Sequence, residues 1–385
     1  MSMRYCQNCV LPDTRPGIRI GDDGICNACA GHSLKSTTID WQARATELAD
    51  IVDWAKSRNA AYDCIVPVSG GKDSMWQVAR ALEMGLRVLA VTWKTPGRTP
   101  LGQQNLDALI RLGVDHHDVS INPRTEAAFM LKTLRETGSS AVPMHLAIFA
   151  IPMRMAVQLD VPLILWGESP IMEYGGDDEN TDLNKLNHAW MQRHGILQGR
   201  TAESWADDTL SPADLAPYIP PAEESLDQAD IRSIFLGYYM PWDPAESLRV
   251  AAENGFQRRA EGPKLGLYDY ADIDCDFISI HHWFKWVKFG CTRLFDNLSL
   301  EIRNGRLTRA EAINMIGQLG DQRPTEDIEK ACAFMGISVE EFAGIEESFR
   351  DTNVWSRSGN EWVICDFLVP NWDWSAGRAR NEAAE

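Results

Sequence analysis

A chain of 385 residues with 44% apolar content is long enough to bury more than one hydrophobic core. Its formal charge of −18 at pH 7 argues against a polyanionic partner, because nucleic-acid binding relies on many Lys and Arg side chains neutralising phosphates. The longest strongly apolar run, 147–161, is broken by Pro152, Arg154, Gln158 and Asp160 and reads as too short and too charged for a membrane span. No basic segment followed by an apolar one marks a secretory signal. A cytoplasmic location is expected, in which the nine cysteines stay reduced or bind metal.

The first 38 residues read as a small unit of their own. Cys6-Gln-Asn-Cys9 and Cys26-Asn-Ala-Cys29 are separated by sixteen residues that include Pro12, Pro16, Gly17, Gly21 and Gly24. Each C-x-x-C turn aims two thiolates at one point, and the linker is long enough to fold the pairs together. Four thiolates close a tetrahedron and leave no open position, so a structural zinc ribbon is expected. An iron–sulfur cluster or a redox pair is the competing reading, since thiolates suit both metals.

A polar helix over 41–59 leads to the apolar run Cys64–Val68 and then to Ser69-Gly70-Gly71-Lys72-Asp73-Ser74, followed by a helical stretch over 75–82. Two glycines let the backbone approach an anion, the N–H groups of the turn and first helical turn point at it, and Lys72 adds positive charge. The kinase-type phosphate loop is excluded: it needs Gly where Val66 stands and Ser or Thr where Asp73 stands.

Strand and helix then alternate. Strands are expected over 87–93, 115–119 and 162–166, and helices over 101–112, 125–137 and 145–159. That order predicts an α/β fold with a doubly wound parallel sheet. Ligands of such sheets sit beyond the carboxyl ends of the strands, which gathers the loop 69–74, Thr92 and Gly167-Glu168 around one crevice. The stretch 175–233, polar and rich in proline, reads as an insertion or lid. Its acidic cluster Asp177, Asp178, Glu179 and Asp182 reads as a solvated loop or, less simply, a cation site. The predicted domains are thus 1–38, 39–242 for the nucleotide domain, and 243–385 as a mainly helical region for substrate or partner contact.

The loop matches SGGxDS and resembles the PP-loop of the N-type ATP pyrophosphatases, enzymes of the adenine nucleotide alpha hydrolase-like fold. Further stretches narrow the likeness: Cys6-Gln-Asn-Cys9-Val-Leu-Pro-Asp-Thr-Arg-Pro-Gly-Ile, Gly24-Ile-Cys-Asn-Ala-Cys29, Gly237-Tyr-Tyr-Met-Pro-Trp242 and His281-His-Trp-Phe-Lys-Trp-Val-Lys-Phe-Gly290. Together with the loop they resemble the N-acetyl sugar amidotransferases of O-antigen and of legionaminic or pseudaminic acid pathways. The resemblance implies ATP-dependent conversion of an N-acetyl group to an acetamidino group. It also implies ammonia from partners similar to the glutaminase and cyclase subunits of histidine biosynthesis.

On that reading Lys72 and the loop amides would hold the departing pyrophosphate, while Asp73 and Glu168 would position Mg2+. Lys285 and Lys288, three apart on one helical face, would meet an anionic sugar nucleotide or the adenylate. The competing reading of that pair is lysines flanking a Trp283/Trp286/Phe289 core face. His281 and His282 are candidate general bases. The alternative function is a PP-loop tRNA-modifying enzyme, a thiolase or lysidine-type. It is weakened by the acidic charge and because Cys64, Cys275, Cys291, Cys332 and Cys365 form no C-x-x-C pair.

Overall fold

Alternate residues of a strand point to opposite faces, and here both faces are buried. Cys64 and Val66, Val88 and Ala90, and Leu163 and Leu165 enter one core, whereas Ile65, Leu89 and Val91, and Ile164 enter another. The computed structural model describes residues 3–174, 184–193 and 196–380. Its main sheet comprises β1 (Cys64–Pro67), β2 (Val88–Trp93), β3 (Asp115–Val119), β4 (Leu163–Trp166) and β5 (Arg232–Phe235) in the order β3-β2-β1-β4-β5. Every neighbouring pair is parallel. This is the doubly wound α/β sheet that the alternation predicts.

Helices α1 (Asn27–Thr37) and α2 (Trp41–Ser57) precede the sheet, and α3 (Lys72–Glu83), α4 (Pro100–Ile110), α5 (Pro123–Thr137) and α6 (Val142–Leu159) connect its first four strands. The helix α6 has 18 residues and is long and apolar enough to cross a membrane, longer than the sequence reading of 147–161 allowed. In the fold it covers one face of the sheet, burying Leu146, Ala147 and Met153 with Ile65, Leu89 and Ile164.

The strand β5 is absent from the sequence reading. It is short, begins with the polar Arg232 and Ser233, and is fixed by its ladder to β4 rather than by its own pattern. The described residues of the stretch read as an insertion or lid pack away from the crevice. Trp205 and Tyr218 set their rings edge-on against Phe129, at 5.8 and 5.1 Å. The acidic cluster Asp177–Asp182 lies outside the described residues.

Helices Ile278–Phe289, Arg293–Arg303, Arg309–Leu319, Thr325–Met335 and Val339–Ser348 form a third core. The aromatic end of the chain docks on it, with Trp286 within 5.1 Å of the Trp355 ring and 6.0 Å of Trp372. The cysteine-bearing segment shares that core through Val10 and Leu11. It is tied down by hydrogen bonds from Thr14 Oγ1 to Phe289 O (2.6 Å) and from Arg309 Nε to Cys6 O and Cys9 O (3.1 and 2.9 Å).

The helical region meets the sheet at a run of close backbone contacts. Gly70 has φ +97°, and a Cβ there would lie 2.3 Å from Gly102 O; a Cβ on Gly102 would lie 2.5 Å from Asp274 Cα. Thr99 N–H donates to Asp274 O (3.2 Å) and Asp276 N–H to Gly97 O (2.8 Å). A Gly102→Ala variant is therefore expected to lose about 2 kcal/mol, the usual scale of overpacking a tight contact, as a lower urea midpoint. An unchanged midpoint would contradict this packing.

Candidate active site

The chain leaves β1 through Val68 and turns at once into the loop. Ser69 N–H donates to Ser74 Oγ (3.0 Å) and Gly71 N–H to Ser69 Oγ (3.3 Å), so the loop closes on itself and α3 starts at Lys72 with Gly71 as its N-cap. The first N–H groups of a helix have no partner within it, and they carry the positive end of its dipole. Above them lies a crevice of about 180 Å³. Ser69, Gly71, Lys72, Asp73, Ser74 and Glu168 line its sheet side, and Gly70 shapes the turn by its contact with Gly102.

Lys72 Nζ bonds both oxygens of Asp73 (2.6 and 2.7 Å), and Trp242 Nε1 donates to Asp73 Oδ1 (3.2 Å). Lys35 on α1 donates to the backbone carbonyl of Trp242 (3.1 Å), so the N-terminal unit helps fix the chain at this residue. The opposite wall comes from the helical region: Tyr268, Tyr270, Asp272 and Asp274, with Arg293 and Asn297. Sequence reasoning missed this wall. Its stretch 268–274 runs through turns and bends rather than a regular element, with Asp272 at φ +52°, so no helical or strand period marked it in the sequence.

Four carboxyls, Asp73, Glu168, Asp272 and Asp274, line this space. Burial and then the Asp73 charge push Glu168 up to about 7, with Lys72 opposing. Burial also raises Asp274, against a hydrogen bond from the Ser69 side chain. Burial acts the same way on Asp272, but Arg293 and His282 outweigh it and hold that carboxyl well below the usual range. Arg293 Nε lies 3.1 Å from Asp272 Oδ2 and His282 Nε2 lies 3.5 Å from it.

Among the described residues, only the four cysteines converge closely enough to form a ready cage of three or more metal ligands. Hard oxygen donors of the crevice still suit Mg2+, which is usually held by one or two carboxylates together with substrate phosphates.

Several predicted site residues lie elsewhere. Thr92 is buried at the end of β2, its Oγ1 2.9 Å from His116 Nε2, and does not line the crevice. Gly167 is a packing position: its N–H meets the Gln77 amide and its carbonyl accepts from Gly237 N–H (2.9 Å). Lys285 bonds Asp296 Oδ2 (2.6 Å), whose other oxygen takes Arg15 Nε (2.6 Å), so it helps anchor the N-terminal unit. Lys288, lowered to about 8 by burial, donates to Thr137 O at the end of α5 (3.1 Å). Neither lysine lines the crevice, and both flank the buried Trp283 and Trp286. His281 lies 3.3 Å from Ser139 Oγ, away from the crevice, whereas His282 reaches it only through Asp272. Burial holds both imidazoles below their usual range.

The sulfurs of Cys6, Cys9, Cys26 and Cys29 all lie within 4.8 Å of one another and are buried. Cys9–Cys26 and Cys6–Cys29 are 3.7 and 4.0 Å apart. Thiolates about 2.3 Å from one zinc sit about 3.8 Å apart at the corners of a tetrahedron, so the cluster is compatible with a zinc site. Zinc would hold the two turns together and supply no reactive position. The N–H groups of Cys9 and Cys26 both point at Cys6 Sγ (3.4 and 3.2 Å), as expected around a thiolate ligand.

Residues 266–368 match the family model described as LPS biosynthesis protein WbpG-like, C-terminal domain. Those residues include Tyr268, Tyr270, Asp272, Asp274, Arg293 and Asn297 of the crevice wall. Among solved structures, the chain has a likeness to NMN synthetase from Francisella tularensis, at 13% identity over 78% of this chain and 98% of that one, with a TM-score of 0.31. No curated protein matches the chain. The α/β class stands on the strand order and parallel register.

Two tests follow from this geometry. Cys6→Ser should lose its bound metal in elemental analysis, against about one zinc per wild-type chain; unchanged metal would rule out the four-sulfur site. Glu168 ordinarily ionises near 4.5 but in the fold near 7, so the folded protein carries an extra proton between them and loses stability as pH rises through about 7. The melting temperature of unliganded Glu168→Gln should therefore gain on wild type from pH 5 to pH 8. A difference that does not vary with pH would contradict the placement.

Proposed function

We propose that this protein is an ATP-dependent, AMP-forming amidotransferase acting on an N-acetylated sugar. The observation that carries the reading is the meeting of two parts in one crevice. A glycine-rich anion loop at a helix N-terminus forms one wall, and the segment matching a lipopolysaccharide-biosynthesis domain forms the other. The first suits the phosphates of ATP and the second suits a sugar.

An amide carbonyl is a poor electrophile, but its oxygen can attack the α-phosphorus of ATP. AMP then becomes the leaving group when ammonia attacks the carbon, leaving an acetamidino group. Lys72, released from Asp73, and the N–H groups of α3 would stabilise the departing pyrophosphate. Asp73 and Glu168 would hold Mg2+ with the phosphates. The aromatic rings of Trp242, Tyr268 and Tyr270 would keep water from the activated imidate. Arg293 at the opposite wall would meet the anionic part of a sugar acid or sugar nucleotide. Ammonia would come from a glutaminase and cyclase pair similar to that of histidine biosynthesis, in the cytoplasm.

The test is release of AMP and pyrophosphate from ATP with ammonium chloride and a panel of N-acetylated sugar acids and sugar nucleotides. The sugar product should be lighter by the difference between O and NH. Lys72→Ala should abolish AMP release while keeping wild-type circular dichroism. Normal AMP release by that variant would remove the loop from the chemistry, and AMP formed only with tRNA and a sulfur donor would favour the RNA-modifying class.

A further inference from the structure

The helix Arg293–Arg303 runs along the crevice wall opposite the loop, and Arg293, Asn297 and Leu300 line that wall. Their spacing of four and three residues puts them on one helical face. Asn297 is 2% exposed. Its Oδ1 accepts from Leu267 N–H (3.0 Å), which fixes the side-chain amide and settles which end is oxygen. No side chain fits at Gly266, where φ is +70° and a Cβ would lie 2.2 Å from Asn297 Oδ1, so the amide is built into its place. The Nδ2 end carries two N–H donors and makes no hydrogen bond among the described residues. A buried donor without a partner costs stability, and its place on a crevice wall points to a ligand that pairs with it.

One turn back on the same helical face, Arg293 Nε meets Asp272 Oδ2 (3.1 Å), and His282 Nε2 approaches the same oxygen (3.5 Å). Both contacts fall on Oδ2, which leaves Oδ1 as the acceptor that Asp272 offers the crevice. The wall therefore presents an N–H2 that only donates and a carboxylate oxygen that only accepts. A hydroxyl, donor and acceptor at once, matches both. The acetamido group has the same two capacities, but its oxygen must stay open to the α-phosphorus. Tyr268 and Tyr270, stacked at 4.7 Å with rings 14° apart, and Leu300 add carbon surface for the C–H groups of a sugar ring.

We propose that Asn297 and Asp272 select the sugar: one ring hydroxyl accepts from Asn297 Nδ2 and donates to Asp272 Oδ1. The assignment rests on the sugar-modifying reading above and names the residues that read the sugar. Accepting one bond polarises the hydroxyl and strengthens the bond it donates. The pair lines one continuous space with Ser69 and Lys72, so a sugar held there stands beside phosphates held at the loop. Along segment 272–277, Cys275 and Phe277 instead line a smaller, mostly apolar hollow that shares no residue with the crevice. A hydroxyl bonded to a charged group is worth about 10- to 100-fold in affinity, so a sugar lacking it is rejected by that factor.

Saturation-transfer NMR titrations on the full-length protein test the pair without turnover. The probes are the methyl glycosides of N-acetylglucosamine, N-acetylgalactosamine and N-acetylmannosamine and their monodeoxy forms. In wild type a parent glycoside should receive saturation in its ring protons, and removal of one hydroxyl should weaken its binding about 10-fold or more. Asn297→Asp keeps an oxygen for Leu267 N–H but has no donor, and should bind the parent and that deoxy sugar alike. Asp272→Asn, whose amide oxygen turns to Arg293 and whose N–H2 meets the hydroxyl, should lose the same discrimination, so the test survives if one variant misfolds. Discrimination retained in either folded variant, or no transfer to any glycoside, would overturn the proposal.

In the AMP assay Asn297→Asp should raise KM for the sugar about 10-fold or more and leave KM for ATP unchanged. An unchanged sugar KM while AMP forms would sink the pair and leave the adenylation reading standing. Hydroxyl-dependent binding with no AMP from any sugar would do the reverse, so the two failures are separable.

Discussion

The structure depends on a close approach of three backbones. Gly70 of the loop lies against Gly102 of α4, and Gly102 against Asp274, with no room for a side chain at either contact. This contact turns a generic parallel sheet into a two-walled crevice, because it sets Asp272, Asp274 and the tyrosines opposite the N-terminus of α3. The same contact divides segment 272–277 between two spaces, one polar and one mostly carbon. Interiors pack too tightly to absorb an extra methyl at such a point without shifting one wall.

Charge within the crevice is arranged by burial and pairing rather than by net composition. Lys72 is satisfied by its neighbour Asp73, so binding an anion there means exchanging one partner for another. Asp272 is fixed as an anion by Arg293 and His282, whereas burial raises both Glu168 and Asp274 above the ordinary carboxylate range. Titratable groups pushed apart in this way are what acid–base and phosphate chemistry requires. The N-terminal unit contributes at a distance, through Lys35 to Trp242 and through Arg15 to the buried Asp296.

The sheet and loop were legible because their signals are local. An apolar run followed by Ser69-Gly70-Gly71 and an amphipathic stretch can form little else than strand, turn and helix, and the cysteine spacing brings four sulfurs together by chain geometry alone. What was not legible depends on partners far along the chain. Lys285 and Lys288 share a helical face with any substrate-binding pair, and only the fold shows that Asp296 and the Thr137 carbonyl take them. The strand β5 has four residues, half of them polar, and exists because β4 offers an edge. Thr92 sits at the correct strand end but turns to His116. The stretch 268–274 runs through turns with no regular period, and nothing near it in sequence says that Asp274 packs on Gly102.

The central claim is that the acetamido oxygen attacks the α-phosphorus in this crevice. The most direct measurement uses a substrate labelled with oxygen-18 in its acetyl carbonyl, with mass spectrometry of every phosphate product. The account predicts one labelled oxygen in AMP and none in pyrophosphate. Label in inorganic phosphate, or label retained in the sugar while AMP forms, would contradict it.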